Sequence, residues 1–143
     1  MKDIELGYNK LISHEDFSIP QLRLLIRKIF FADVEEESFH LKVLHRKLWE
    51  VAMCVRAIND FDKLNRDSLI LGIGAGTEQT SFYLTNFAKM VHATDLYFQS
   101  GVWTAEAPMY MLLSPERFTQ IEFDKRRLIV QHMDGRLIEF PDE

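Results

Sequence analysis

Three carboxylates, Glu78, Asp95 and Asp134, each stand shortly after a brief apolar run, and the glycines Gly72, Gly74 and Gly76 punctuate the first of those runs. These residue types suit the holding of a nucleoside. Glycines between a strand and a helix let a ligand approach the backbone, because no side chain stands in the way. An acid at the carboxyl end of the neighbouring strand can accept hydrogen bonds from both hydroxyls of a ribose. Bonds to a charged acceptor contribute roughly 1.5–3 kcal/mol each. Asp134, after a third run, could accept from an adenine amino group. Each feature also has a plainer reading. The glycine cluster can be a tight turn that binds nothing. Asp95 can cap the turn that follows it, and Asp134-Gly135 is an ordinary turn signal, so Asp134 taken alone reads as a turn residue.

The elements that must position these groups follow from hydrophobic period. Leu69 to Ile73, between Asp67-Ser68 and the glycines, reads as a buried parallel strand. Thr80 to Met90 carries Phe82, Tyr83, Leu84, Phe87 and Met90 at helical spacing. Val91 to Leu96 and Arg127 to His132 are the second and third strands. Gln99 to Gln120 between them reads as irregular to helical, most helical in "APMYMLLSPERF". Strand, helix, strand, helical segment, strand is the pattern of an open parallel sheet, so the fold class is α/β.

Upstream, Met1 to Phe17 has no clear period and reads as partly loose. Ser18 is the expected cap, and Pro20 the first-turn residue, of a helix through "LRLLIRKIFF". The acidic "DVEEES" is a solvated link or the negative first turn of the next helix. From Ser38 to Phe61 the apolar residues Leu41, Leu44, Leu48, Val51, Val55 and Ile58 form one stripe, widened by Trp49, Met53 and Cys54. Residues 1–66 are therefore expected to form a helical cap or layer, and 67–143 the nucleoside-binding part. No linker composition separates them.

The 143 residues suit one domain, and 47% apolar with 27% charged is the balance of a soluble globular chain. A net charge of −5 disfavours nucleic acid as a partner. No apolar run approaches the roughly 18 residues of a membrane span, and the polar start "MKDIELGYNK" has no signal-peptide core. The single cysteine, Cys54, forms no internal disulfide, which makes a reducing cytoplasm the simplest setting. On its helical stripe Cys54 is expected in the core rather than as a nucleophile. His40 and His45 are spaced wrongly for one helix face, and no H-E-x-x-H or C-x-x-C occurs, so no metal site is expected. His92 reads as a satisfied sheet histidine. His132 precedes Met133 and Asp134 and is a lesser candidate for the pocket wall.

A dinucleotide turn would read G-x-G-x-x-G. Counted from Gly72 the last position is Thr77, and from Gly74 it is Gln79, so neither register fits. The pieces "LILGIGAGTE", "VHATDLY", "LIVQHMDG" and "LIEFPDE", in this order, instead resemble class I S-adenosylmethionine-dependent methyltransferases, in particular bacterial members of the type 11-like kind with a "GAG-x-E" turn. The resemblance covers about Leu69 to Glu143. It implies a three-layer Rossmann-like methyltransferase sheet of which this chain carries the first half, with S-adenosyl-L-methionine as cofactor. It also implies cofactor contacts from Gly72, Gly74, Ala75, Gly76, Glu78, Asp95, Leu96, Met133 and Asp134. Aligned on Leu84, Gly74 and Gly76 match the family's first two glycines and Glu78 its third, while Gly72 stands where the family has an acid that anchors the methionine part. Glu78 is the residue expected to take over that task beside the ammonium or sulfonium. Its alternative role is to favour its own helix through the dipole.

In the resembling family strand one lies mid-sheet beside strand four, and acceptor-contacting groups come later. This chain reaches "FPDE" just before strand four would begin. It is therefore expected to be the N-terminal, cofactor-binding part of a methyltransferase, with weak or no catalysis alone and with self-association through the strand-one edge. Two other readings stand beside it: a fragment of a nicotinamide- or nucleotide-binding oxidoreductase, and a non-catalytic interaction protein with half an old fold.

Overall fold

The computed structural model describes residues 7–34, 45–98 and 107–140. The chain divides into two compact units, Met1–Lys63 and Leu64–Glu143.

In the first unit a 3-10 turn, His14–Ser18, leads into helix α1, Pro20–Phe30. The N-cap is Ile19, not Ser18. Proline forces the preceding residue into extended backbone, so the helix starts at Pro20 and Ser18 is left in the 3-10 turn. That turn is ordered, unlike the loose segment expected up to Phe17. Its buried Asp16 accepts from Lys10 Nζ at 2.5 Å and from the Ser13 N–H at 3.1 Å. Helix α2 runs Arg46–Asp60. The longer helix expected from Ser38 does not pass through His45, whose extended backbone (φ −110, ψ 149) makes it the N-cap. Leu41 and Leu44 lie outside the described residues.

Leu22 and Ile26 of α1 pack with Phe17 and with Trp49, Ala52 and Met53 of α2. Cys54 is exposed, against the expectation of a core position. At about 100° per residue it falls almost opposite the Trp49–Ala52–Met53 stripe.

The second unit is a three-stranded parallel sheet in the order β1 (Leu69–Ile73), β2 (Met90–Asp95), β3 (Leu128–His132). Ile73 pairs with Thr94, and Asp95 with His132. The glycine turn, the exit of β2 and the exit of β3 therefore leave the sheet along one edge.

Helix α3 spans only Gln79–Leu84, shorter than the expected Thr80 to Met90. The apolar spacing continues, but the hydrogen bonding does not. Thr85 Oγ1 donates to the Phe82 carbonyl at 2.7 Å and accepts from the Asp124 N–H at 3.0 Å, and the chain tightens into turns at Asn86 and Phe87. A hydroxyl that bonds locally to backbone competes with helix continuation. Among the described residues between β2 and β3 there are three 3-10 turns, Met109–Leu112, Pro115–Phe118 and Lys125–Arg127. Phe82, Tyr97, Ala107, Met111 and Ile121 form the core on this side of the sheet, with Leu128 and Val130 against it. Among the described residues no helix is long and apolar enough to cross a membrane.

Candidate functional site

The site is built where β1 turns into α3 beside the exit of β2. Gly74 (φ +66) and Gly76 (φ +48) adopt left-handed backbone that side chains disfavour, and this bends the chain sharply out of β1. A Cβ on Gly74 would meet nothing within 4 Å, so that position demands glycine for its backbone rather than for room inside the protein. Gly72 differs. It is the fourth residue of β1, and a Cβ there would approach the Ala75 Cβ at 3.4 Å.

The turn is stitched to β2. Ala75 donates its N–H to the Thr94 carbonyl at 3.0 Å, and Thr94 Oγ1 donates to the Gly72 carbonyl at 2.9 Å. The Gly76 N–H donates to Asp95 Oδ2 at 2.8 Å, while Asp95 Oδ1 accepts from the Leu96 N–H at 2.7 Å. The Asp95 carbonyl accepts from the Met133 N–H at 3.0 Å. Gly72, Gly74, Ala75, Gly76, Asp95, Leu96 and Met133 thus form one connected set around the exits of β1 and β2. Each Asp95 oxygen keeps acceptor capacity beyond the one bond it makes here, since an ionised carboxylate offers about four lone-pair sites.

Glu78 is the N-cap of α3 rather than a residue of its first turn, and its side chain makes no capping bond. Its N–H donates to the Ala75 carbonyl at 2.9 Å. Asp134 is in a turn, as the Asp-Gly signal suggests. Its carboxylate accepts from the Arg136 N–H at 2.9 Å and from Arg136 Nε at 2.9 Å, and its carbonyl accepts from the Leu137 N–H at 2.8 Å. These hydrogen bonds, with the guanidinium charge, lower the Asp134 carboxyl from the ordinary 3.8 to about 2. A carboxyl depressed in the fold is ionised and paired above its ordinary value, and the pairing is lost as pH falls through the folded value. An NMR titration of the Asp134 side chain should place its midpoint near 2, and Arg136→Ala should return it toward 3.8. A midpoint near 3.8 in the unaltered chain would contradict the pairing.

His132 Nδ1 accepts from the Phe98 N–H at 3.2 Å, and the two rings lie 5.0 Å apart, so His132 anchors the loop after β2. His92 was expected to be satisfied. Its Nδ1 is instead buried without a partner among the described residues, and its ring stands edge-on to Phe140 at 5.0 Å. His45 Nδ1 accepts from the Lys47 N–H, and His40 lies outside the described residues. Among the described residues no group of three His, Cys, Asp or Glu side chains could hold a metal ion.

Sequence reasoning missed Tyr97 and Thr94. The Tyr97 hydroxyl donates to the Gly76 carbonyl at 2.9 Å, and the residue is 2% exposed. Burial, and then the nearby Asp95 carboxylate, push the phenol well above its ordinary range, so it stays a donor. Both residues stand inside the piece "VHATDLY", where residue type alone does not single them out from their neighbours. Their importance comes from the backbone carbonyls they face.

Comparison with known protein families, with curated proteins and with solved structures finds no match to this chain.

Proposed function

We propose that residues 64–143 are the cofactor-holding part of a class I S-adenosylmethionine-dependent methyltransferase, with a Rossmann-like methyltransferase sheet. One observation carries the choice of cofactor. The N–H groups of Ala75, Gly76 and Glu78 are all spent on the protein's own acceptors, one of them on a carboxylate. A dinucleotide would bring a diphosphate to this turn. It would need those N–H groups, and it would meet the Asp95 charge. S-adenosylmethionine brings a ribose diol and a cationic sulfonium, for which a carboxylate and a bare glycine backbone are suitable neighbours.

In this reading Asp95 accepts from the ribose hydroxyls. Gly74 and Gly76 leave room for the sulfur-bearing chain, and Ala75, Gly72 and Leu96 shape the turn around it. Glu78 supplies the negative charge beside the ammonium or sulfonium, in place of the acid that Gly72 does not provide. Met133 lines the adenine side. Asp134 contributes there with whatever acceptor capacity Arg136 leaves it. The chemistry so supported is in-line displacement of the methyl group from sulfur. For that reaction alignment alone can supply about 7–11 kcal/mol of the barrier.

The test is a titration of S-adenosylhomocysteine and, separately, NADH into the chain, with Glu78→Gln and Asp95→Ala as variants. The reading requires that S-adenosylhomocysteine binds and that both variants bind it more weakly. A Glu78→Gln protein with unchanged affinity would remove Glu78 from the site.

We also infer self-association along β1. Among the described residues this strand pairs only with β2. It carries no charge and no proline, the usual protections of an edge, and Leu69 and Ile73 are 60% and 53% exposed. Light scattering at tens of micromolar should report species larger than one chain, and Leu71→Lys should shrink them. A monodisperse monomer would contradict the inference.

A further inference from the structure

Gly76 is gripped at both of its polar groups by residues two apart at the exit of β2. Asp95 takes its N–H, and Tyr97 donates to its carbonyl at 2.9 Å. The Tyr97 ring belongs to the core with Phe82, Ala107, Met111 and Ile121, all apolar. A phenylalanine would fill that space as well, so packing does not account for the hydroxyl. Among the described residues the hydroxyl has one partner, the Gly76 carbonyl.

That carbonyl belongs to a residue at φ +48, a backbone state that glycine leaves easily because it reaches many others at little cost. The Gly76 carbonyl lies in the peptide plane shared with Thr77 and its N–H in the plane shared with Ala75. The two planes meet at the φ and ψ of Gly76, so releasing the carbonyl frees those two angles and with them the direction of the N–H toward Asp95 Oδ2. The orientation of the proposed ribose acceptor thus depends on a phenol that never meets the ligand.

We propose that Tyr97 is a positioning residue of the cofactor site. It acts through Gly76 to hold both the glycine turn and the Asp95 carboxylate in ligand-ready geometry. The proposal rests on the S-adenosylmethionine reading above. It concerns the pre-organisation of that site, which lowers the cost of ordering groups when a ligand arrives.

The experiment compares the full chain with Tyr97→Phe and Tyr83→Phe. Tyr83 is a half-buried tyrosine of α3 whose ring lies 5.1 Å from Phe87, and it serves as the control for deleting a hydroxyl. S-adenosylhomocysteine affinity is measured by calorimetry, and exchange of the Gly76 N–H by NMR. Tyr97→Phe should weaken binding about three- to tenfold, the range that one net hydrogen bond contributes. It should also speed Gly76 N–H exchange, while Tyr83→Phe matches the unaltered chain in both. If the unaltered chain binds and Tyr97→Phe binds equally well, the positioning role is overturned and the cofactor reading stands. A fall in melting temperature at unchanged affinity has the same meaning, since it marks a packing role alone. If the unaltered chain binds no S-adenosylhomocysteine, the cofactor reading falls and this role falls with it.

Discussion

Replacing Asp95 with alanine is expected to weaken S-adenosylhomocysteine binding by about 100-fold or more. Two ribose hydroxyls donating to one carboxylate are worth roughly 1.5–3 kcal/mol each. Tenfold in affinity corresponds to about 1.4 kcal/mol. The variant loses a second thing, because the Gly76 N–H that donates to Asp95 Oδ2 at 2.8 Å then has no acceptor there. The glycine turn keeps its Ala75–Thr94 bond and its Tyr97 contact, so the chain should remain folded. Asp95→Asn separates the two losses. It keeps one oxygen for Gly76 or for a hydroxyl but removes the charge, and its affinity should fall between the other two. Calorimetry reports affinity, and circular dichroism checks that the fold persists. An Asp95→Ala protein that binds within threefold of the unaltered chain would show that no ribose is held here.

The largest expected effect on stability lies at Phe82. Its side chain is fully buried, and its ring meets Phe123 edge-on with centroids 5.1 Å apart. It sits in the same cluster as Tyr97 and Met111, one side of which lies against β3. Phe82→Ala removes most of that volume from the buried face of a six-residue helix. Phenylalanine-to-alanine changes in close-packed cores cost about 3–5 kcal/mol. That is a large fraction of a typical domain's 5–15 kcal/mol. Urea denaturation followed through the second unit should show the loss as a lower midpoint. Phe82→Leu should cost much less, because it keeps apolar volume. A Phe82→Ala cost below about 1 kcal/mol would mean that the site is loosely packed or can collapse around the gap.

The strands were the most legible part of the sequence. Leu69–Ile73 is an apolar run closed on one side by Asp67-Ser68 and on the other by the glycines, and both ends match the structure. The strand is not buried as expected: it stands at an edge of the sheet, and Leu69, Leu71 and Ile73 are exposed. The second and third strands match to within a residue at each end, because β-rich apolar runs were again bounded by polar residues. Their parallel order followed from the alternation with helical segments. Helix ends were less legible. Phe87 and Met90 continue the apolar spacing of α3, but the Thr85 hydroxyl diverts the backbone before they are reached. At His45 and Ile19 local backbone preference set the start of a helix, and apolar periodicity does not register that preference.

In the site, Asp95 was visible because an acid ending a strand beside a glycine turn is a positional signal. The bond between its carboxylate and the Gly76 N–H was not visible, and neither was the grip of Tyr97. Both depend on the register that sets Ile73 beside Thr94, and so on three-dimensional proximity across about twenty residues of chain. Asp134 read as a turn residue in the sequence and is one in the structure, tied to Arg136.

The most direct test of the central claim is calorimetric titration of S-adenosylhomocysteine into the folded chain, with NADH titrated in parallel. The claim predicts saturable heat with S-adenosylhomocysteine, lost in Asp95→Ala, and a weaker response or none with NADH. A folded chain that gives no heat with S-adenosylhomocysteine, or that binds NADH more tightly, would contradict it.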